Sequence, residues 1–276
     1  MGKRIKNIEK TVDLGMEKPY VVNIPSEIGI AILKLNNVGK RKSQQDSFGI
    51  SDFDEDTVQQ KGILAVVADG MGGLSGGERA SMATVISVLN YFDTNEMENI
   101  PVKLREMIEN ANEQVKEVVG ITKGQSGSTI VCVHIMDHQM FFASVGDSRI
   151  LLIRDGEIFQ LNKEHNYEAD LLEMVQDGRM TMEEALQDPQ KDALTSYIGI
   201  DCLERIDQNL TEIELFEGDR ILLITDGVYN TLSDAEILSS MEYSAGRAMM
   251  HIEMQIEAKN RPNQDNYTAV LIEIKE

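Results

Sequence analysis

Ile63-Leu64-Ala65-Val66-Val67-Ala68-Asp69-Gly70 is an apolar run that ends on a carboxylate and a glycine. Ile221-Leu222-Leu223-Ile224-Thr225-Asp226-Gly227 repeats the arrangement far down the chain. Runs this short, rich in β-branched residues and bounded by glycine, predict buried strands. A carboxylate at the end of a core strand is costly unless it is paired or bound to metal. Few basic residues lie near either run, so the two aspartates together predict a shared cation site.

Working outward, the 276 residues suit one large domain or two small ones, with 42% hydrophobic and 26% charged residues. The expected division is a terminal extension over residues 1–25 and a single domain over 26–276. No apolar stretch reaches the length of a membrane span. The basic start Met1-Gly2-Lys3-Arg4 is not followed by the apolar core of a secretory signal. A cytoplasmic, monomeric protein with no membrane partner is therefore expected. Cys132 and Cys202 have no metal-ligand spacing, and Cys132 sits in an apolar, strand-like run. The net charge of −21 argues against nucleic acid, whose phosphates require basic patches.

Strands are expected at Ile28 to Leu35, Thr129 to Ile135, Gln139 to Val145, Arg149 to Ile153, Glu157 to Gln160, Asp219 to Thr225 and Tyr267 to Ile274. Asp155-Gly156 predicts a hairpin turn. Residues 1–25 read as a terminal arm or an added edge strand. Helices are expected from about Glu78, carrying Ala80, Ala83, Ile86, Val88 and Leu89 inward, and around Val102 to Val118. Ser233 with Glu236 opens a short helix as a capping box, and a longer one runs from about Ala245 to Lys259. Residues 163–192 are polar and helical in character, an excursion from the strands. Runs of strands interleaved with helix pairs favour α+β over a doubly wound parallel sheet.

Asp46 and Asp265 also flank apolar strands, so four aspartates spread along the chain share one context. A capping or turn role explains any one of them, but explains all four poorly. Carboxylates and water suit Mg(II) or Mn(II), not zinc. The chain resembles the metal-dependent serine/threonine protein phosphatases of type 2C, especially bacterial members. The residues that carry the likeness are Arg41 with Asp46, Asp69-Gly70-Met71-Gly72-Gly73, Gly127-Ser128-Thr129, Gly146-Asp147-Ser148-Arg149, Thr225-Asp226-Gly227 and Asp265-Asn266. Their order holds over roughly residues 28 to 274.

The resemblance implies a central β-sandwich of two antiparallel sheets flanked by helices on both faces, with a flap at about 161–199. It implies two Mn(II) or Mg(II) ions bridged by a hydroxide, with a weaker third site. Asp69 would bridge both metals, joined by the Gly70 carbonyl, and Asp226 and Asp265 would hold one of them. Asp46 would act through metal-held water, Asp147 with Asp226 would serve the third site, and Arg41 would grip the substrate phosphate. Two cations about 4 Å apart lower a water's pKa and align it, while a guanidinium pairs with phosphate oxygens. The plain alternative for Arg41 is a solvated basic loop with Lys40 and Lys42, and for Asp147 a strand-to-strand turn. Ser126 and Ser128 have no base arranged for them and read as turn and strand residues.

The likeness frays in three places. Met71 stands where many relatives carry a histidine, leaving the general acid unassigned. Gln45 replaces a common acidic residue, and Asp188-Pro189-Gln190-Lys191-Asp192 departs from the usual flap sequence. The expected function is hydrolysis of phosphoserine and phosphothreonine in proteins, opposing a serine/threonine kinase. The alternatives are a phosphoesterase for small metabolites and a silent phosphoprotein-binding relative.

Overall fold

Every second residue of the 63–70 run faces a different core. Ile63, Ala65 and Val67 join one apolar cluster, while Leu64, Val66 and Ala68 join another. Both faces of the strand are buried, so the period of two is hidden inside a continuous apolar run. The computed structural model describes residues 20–23, 29–52, 55–72, 76–120 and 126–275, with the backbone alone at 20–23, 55 and 56.

In chain order these residues form β1 (Tyr20–Asn23), β2 (Gly29–Asn37), β3 (Asp46–Ile50), α1 (Glu55–Lys61), β4 (Ile63–Met71), α2 (Gly76–Thr94) and α3 (Ile100–Gly120). Next come β5 (Gly127–Ser128), β6 (Ile130–Met136), β7 (Gln139–Val145), β8 (Arg149–Arg154) and β9 (Glu157–Gln160). The excursion carries α4 (Tyr167–Gln176) and α5 (Met182–Gln187), followed by β10 (Asp207–Gln208) and β11 (Ile213–Glu214). The chain closes with β12 (Arg220–Ile224), α6 (Asp226–Tyr229), α7 (Asp234–Ser240), α8 (Ala245–Lys259) and β13 (Tyr267–Lys275).

Two sheets result, and all of their pairings are antiparallel. One runs β1-β2-β13-β12-β8-β9; the other runs β10-β7-β6-β4-β3, with β11 on β7 and β5 on β4. The core between them takes Ile32, Val67, Val133, Ile150, Leu223 and Val270. Helices α7 and α8 cover the outer face of the first sheet through Ile237, Ala248 and Ile252. Helices α2 and α3 cover the second through Val85, Val88, Met107 and Val115. This is the α+β, helix-flanked double sheet that the sequence implied.

Two expectations shift. The Asp69 strand does not stop at its carboxylate: β4 continues to Met71 because Gly70 and Met71 pair with Ser128 and Gly127 of β5. Gly73, expected in the following turn, lies outside the described residues, as do residues 1–19 of the expected extension. The inward stripe of α2 is rotated, with Thr84 and Val85 buried while Ala83 and Ile86 are half-buried. The Asp155-Gly156 turn forms as read, with φ of 53° and 79°, the positive pair that a tight hairpin demands. Cys132 is fully buried on the α2–α3 side.

Candidate metal centre

The inward parity of the core strands leads directly to the site. Phe48 and Ile50, and Ala65 and Val67, face the core between the sheets, so Asp46 and Asp69 continue that face at one end. They are also direct cross-strand partners in the β3–β4 register. Like charges placed opposite one another are unfavourable. The same parity carries Thr129, Ser148, Thr225 and Thr268 into a layer of hydroxyls at this end of the sandwich. Thr129 and Ser148 lie 2.8 Å apart through their hydroxyls, and Thr129 Oγ1 accepts from the Asp69 amide at 2.9 Å. Thr225 Oγ1 donates to Asp46 Oδ2 at 2.9 Å and accepts from the Thr268 amide at 3.0 Å.

Asp46 Oδ1 is buried with no hydrogen-bond partner. Burial pushes the Asp46 carboxyl up to about 7 against the pull of the Thr268 and Thr225 hydroxyls, and Asp226 and Asp265 add repulsion. Asp69 is driven well above the carboxylate range by burial, then by Asp46, Asp226, Asp147 and Asp265 in turn. Asp226, the first residue of α6, is raised by burial and by Asp265, and lowered by Asp69 and Arg41. Burial, then Asp226 and Glu164, push Asp147 up to about 7. The fold thus brings the five sequence-selected carboxylates within reach of one another's fields.

Among the described residues, no group of three or more His, Cys, Asp or Glu is closed tightly enough to hold a metal ion as it stands. The five carboxylates repel one another, and Arg41 already holds one of them: its guanidinium lies 2.6 Å from Asp265 Oδ2. The donor set is nevertheless oxygen throughout, and it includes the orphaned Asp46 oxygen. That chemistry fits a hard divalent cation. Gly70 is held beneath it, since a Cβ there would run into the Gly77 carbonyl and meet Gln45 O at 2.7 Å.

Sequence reading passed over Tyr229, and it left the contacts of Arg149, Gln45 and Ser128 to the structure. Tyr229 lies beside Asp147: burial raises the Tyr229 pKa and the Asp147 charge adds to the rise, while Tyr229 in turn favours the charged form of Asp147. The Arg149 guanidinium sits 3.7 Å above the Tyr229 ring and its Nε bonds Glu164 at 2.6 Å. Tyr229 lies three residues after Asp226, one helical turn on, which was the only available signal. Gln45 supplies its carbonyl to the Gly70 amide at 3.0 Å and its side-chain amide to Gly72 O at 3.2 Å. The Ser128 hydroxyl lies 3.0 Å from the Asp69 carbonyl, a fastening role and not that of a nucleophile. A cleft of about 640 Å³ opens between Arg149, the 162–166 segment, α4 and Arg205.

Residues 37–266 match the family described as Protein phosphatase 2C, and the chain belongs to that family. Protein phosphatase PhpP of Streptococcus pneumoniae is 29% identical over 252 residues, covering 88% of this chain and 96% of PhpP. The structure of the Streptococcus agalactiae serine/threonine phosphatase superposes with a TM-score of 0.75 at 30% identity, covering 90% of this chain and 100% of that one. The catalytic domain of PstP, a name borne by a Mycobacterium tuberculosis serine/threonine phosphatase, was crystallised with two manganese ions. It matches with a TM-score of 0.70 at 25% identity, over 90% of this chain and 100% of that one.

Proposed function

We propose that the protein is a metal-dependent serine/threonine protein phosphatase whose centre is the acidic end of the sandwich. The observation that carries this reading is the facing pair Asp46 and Asp69, with a buried carboxylate oxygen that has no partner. Asp69, the Gly70 carbonyl, Asp226 and Asp265 would hold two divalent cations, Mn(II) or Mg(II). Asp46 would serve through water, and Asp147 with Asp226 would form a weaker third site. When bound, the ions would activate water as nucleophile and neutralise phosphate charge.

The chain's own residues do the rest. The Thr225 hydroxyl holds one oxygen of the Asp46 carboxylate, and the Thr129 hydroxyl accepts from the Asp69 backbone amide, so both residues are anchored at this end of the sandwich. Arg41, exposed beside Asp265, presents planar donors that match a phosphate monoester. The segment Leu161 to Gly199 is assigned as the flap, and its altered 188–192 stretch lies away from the carboxylates in sequence. A cytoplasmic monomer opposing a serine/threonine kinase completes the reading.

The test is hydrolysis of a phosphothreonine peptide with Mn(II), with and without a chelator, beside a panel of nucleotides and sugar phosphates. Chelator-sensitive peptide turnover that Asp69→Ala abolishes is the expected result. Preference for the small phosphates would move the assignment to a metabolite phosphoesterase, and no turnover with intact phosphopeptide binding would make the chain a silent relative.

A further inference from the structure

We propose that Asn266 is a positioning residue for Arg41: its buried amide ties both ends of the 38–45 loop together and so presents the guanidinium to the centre. The inference rests on the phosphate-gripping role given to Arg41 above and assigns a function to the residue next to Asp265. Asn266 is 4% exposed. Its Nδ2 donates to Val38 O at 2.9 Å and to Ser43 O at 3.1 Å, while its Oδ1 accepts from the Gln45 amide at 2.8 Å. One side chain therefore uses its two N–H groups and one carbonyl lone pair on the entry, the exit and the far shoulder of a single loop.

Other bonds pin single points of the loop: Gly39 N donates to Asn37 Oδ1 at 3.0 Å, Gln44 Nε2 to Asn36 Oδ1 at 2.9 Å and Gln45 Nε2 to Gly72 O at 3.2 Å, whereas Asn266 joins its two ends. Arg41 N donates to Val38 O at 3.2 Å and Lys40 N to Gln264 O at 2.9 Å, forming a tight turn against the loop that leads into β13. Gly39 has φ of +58°, and a Cβ there would strike the Asp265 carbonyl and approach Gln264 O at 2.8 Å. The turn is thus pressed onto the backbone of the two residues that precede Asn266. Arg41 itself is exposed and makes one ion pair, with Asp265. A long, exposed side chain in a screened pair is weakly ordered on its own. Its placement depends on the backbone beneath it, and Asn266 is the side chain that joins the two ends of that backbone. Asn is suited to the task because aspartate would set a charge against two carbonyls, and leucine would leave all three backbone groups without partners.

The test is a double-mutant cycle on the full chain with Mn(II) and a phosphothreonine peptide, alongside hydrogen exchange of residues 38–45. Asn266→Ala should lower kcat/KM about tenfold or more, mainly through KM, with Mn(II) affinity measured by calorimetry unchanged within about twofold. In an Arg41→Ala background the same substitution should change kcat/KM by less than about twofold. Faster exchange of the Gln45 amide in Asn266→Ala is expected, with α8 and β6 unaffected. Equal losses in both backgrounds, or exchange in the loop that does not change, would overturn the proposal. If Arg41→Ala alone leaves KM untouched while loop exchange still rises, the clamp stands and the phosphate role of Arg41 is what fails.

Discussion

Asp69 is the residue at which function and stability conflict. Its carboxyl faces Asp46 across the ladder and feels three more acids, and among the described residues the cation paired with this cluster is Arg41, on Asp265. Replacing it by asparagine keeps the shape and removes the charge. Asp69→Asn should abolish turnover yet raise the Tm of the chelated protein, by about 1–2 kcal/mol or roughly 2–8 °C. Calorimetry in chelator reads this directly, and a lowered Tm would mean the carboxylate is better accommodated than its setting indicates. The five acids were legible in the sequence because each ends or precedes an apolar run. The hydroxyls beneath them were less so. Thr129, Ser148, Thr225 and Thr268 follow from strand parity, but parity becomes readable only once it is known which of two buried faces points between the sheets. Asn266 stood in the Asp265-Asn266 motif, but its role was beyond reach, since its partners lie more than two hundred residues away in sequence.

Elements with their own local chemistry were read well, and those held only by a neighbour were not. Residues 233–236 show the first kind. The Ser233 hydroxyl accepts from the Glu236 amide while the Glu236 carboxylate accepts from the Ser233 amide, so α7 starts where the sequence set it. Ser233→Ala should cost about 1 kcal/mol, a Tm loss of roughly 2–4 °C. Glu236 also reaches Lys259 of α8 at 2.5 Å. Lys259, then the Ser233 amide and hydroxyl, hold its carboxyl down at about 2. A depressed acid stabilises above its unfolded pKa, near 4.5, and loses that contribution as the pH falls through about 2. The Tm gap between the wild type and Glu236→Gln should accordingly be constant above pH 5 and close towards pH 2; a gap that persists there would assign the effect to packing. Strands β5, β10 and β11, two residues each, carry no periodic signal and exist through pairing with β4 and β7. The rotated stripe of α2 has a similar cause, because contact with the sheet and with α3 chose Thr84 and Val85 over the more apolar Ile86.

At the scale of the whole molecule, two sources of negative charge oppose folding and respond to different salts. The net charge of −21 spreads repulsion over the surface, where any added electrolyte screens it. The cluster at the end of the sandwich is confined to buried and half-buried side chains on β3, β4, the β7–β8 connection, α6 and the approach to β13, and monovalent ions cannot take the place of the divalent cation its oxygens suit. Sandwich and centre are also one unit: the hydroxyl layer that fixes Asp46 and Asp69 is the last layer of the core between the sheets, so occupying the centre must brace both sheets at once. Mn(II) at a hundred times its Kd should therefore add about 2.7 kcal/mol to the stability of the entire domain, a Tm rise of roughly 5–10 °C in a single cooperative transition. Sodium chloride at matched ionic strength should raise Tm less, and by the same amount in the wild type and Asp69→Asn, whereas the extra Mn(II) increment should largely vanish in that variant. Equal shifts from the two salts in both proteins would reduce the effect to surface screening and remove the acidic end of the sandwich as a cation site.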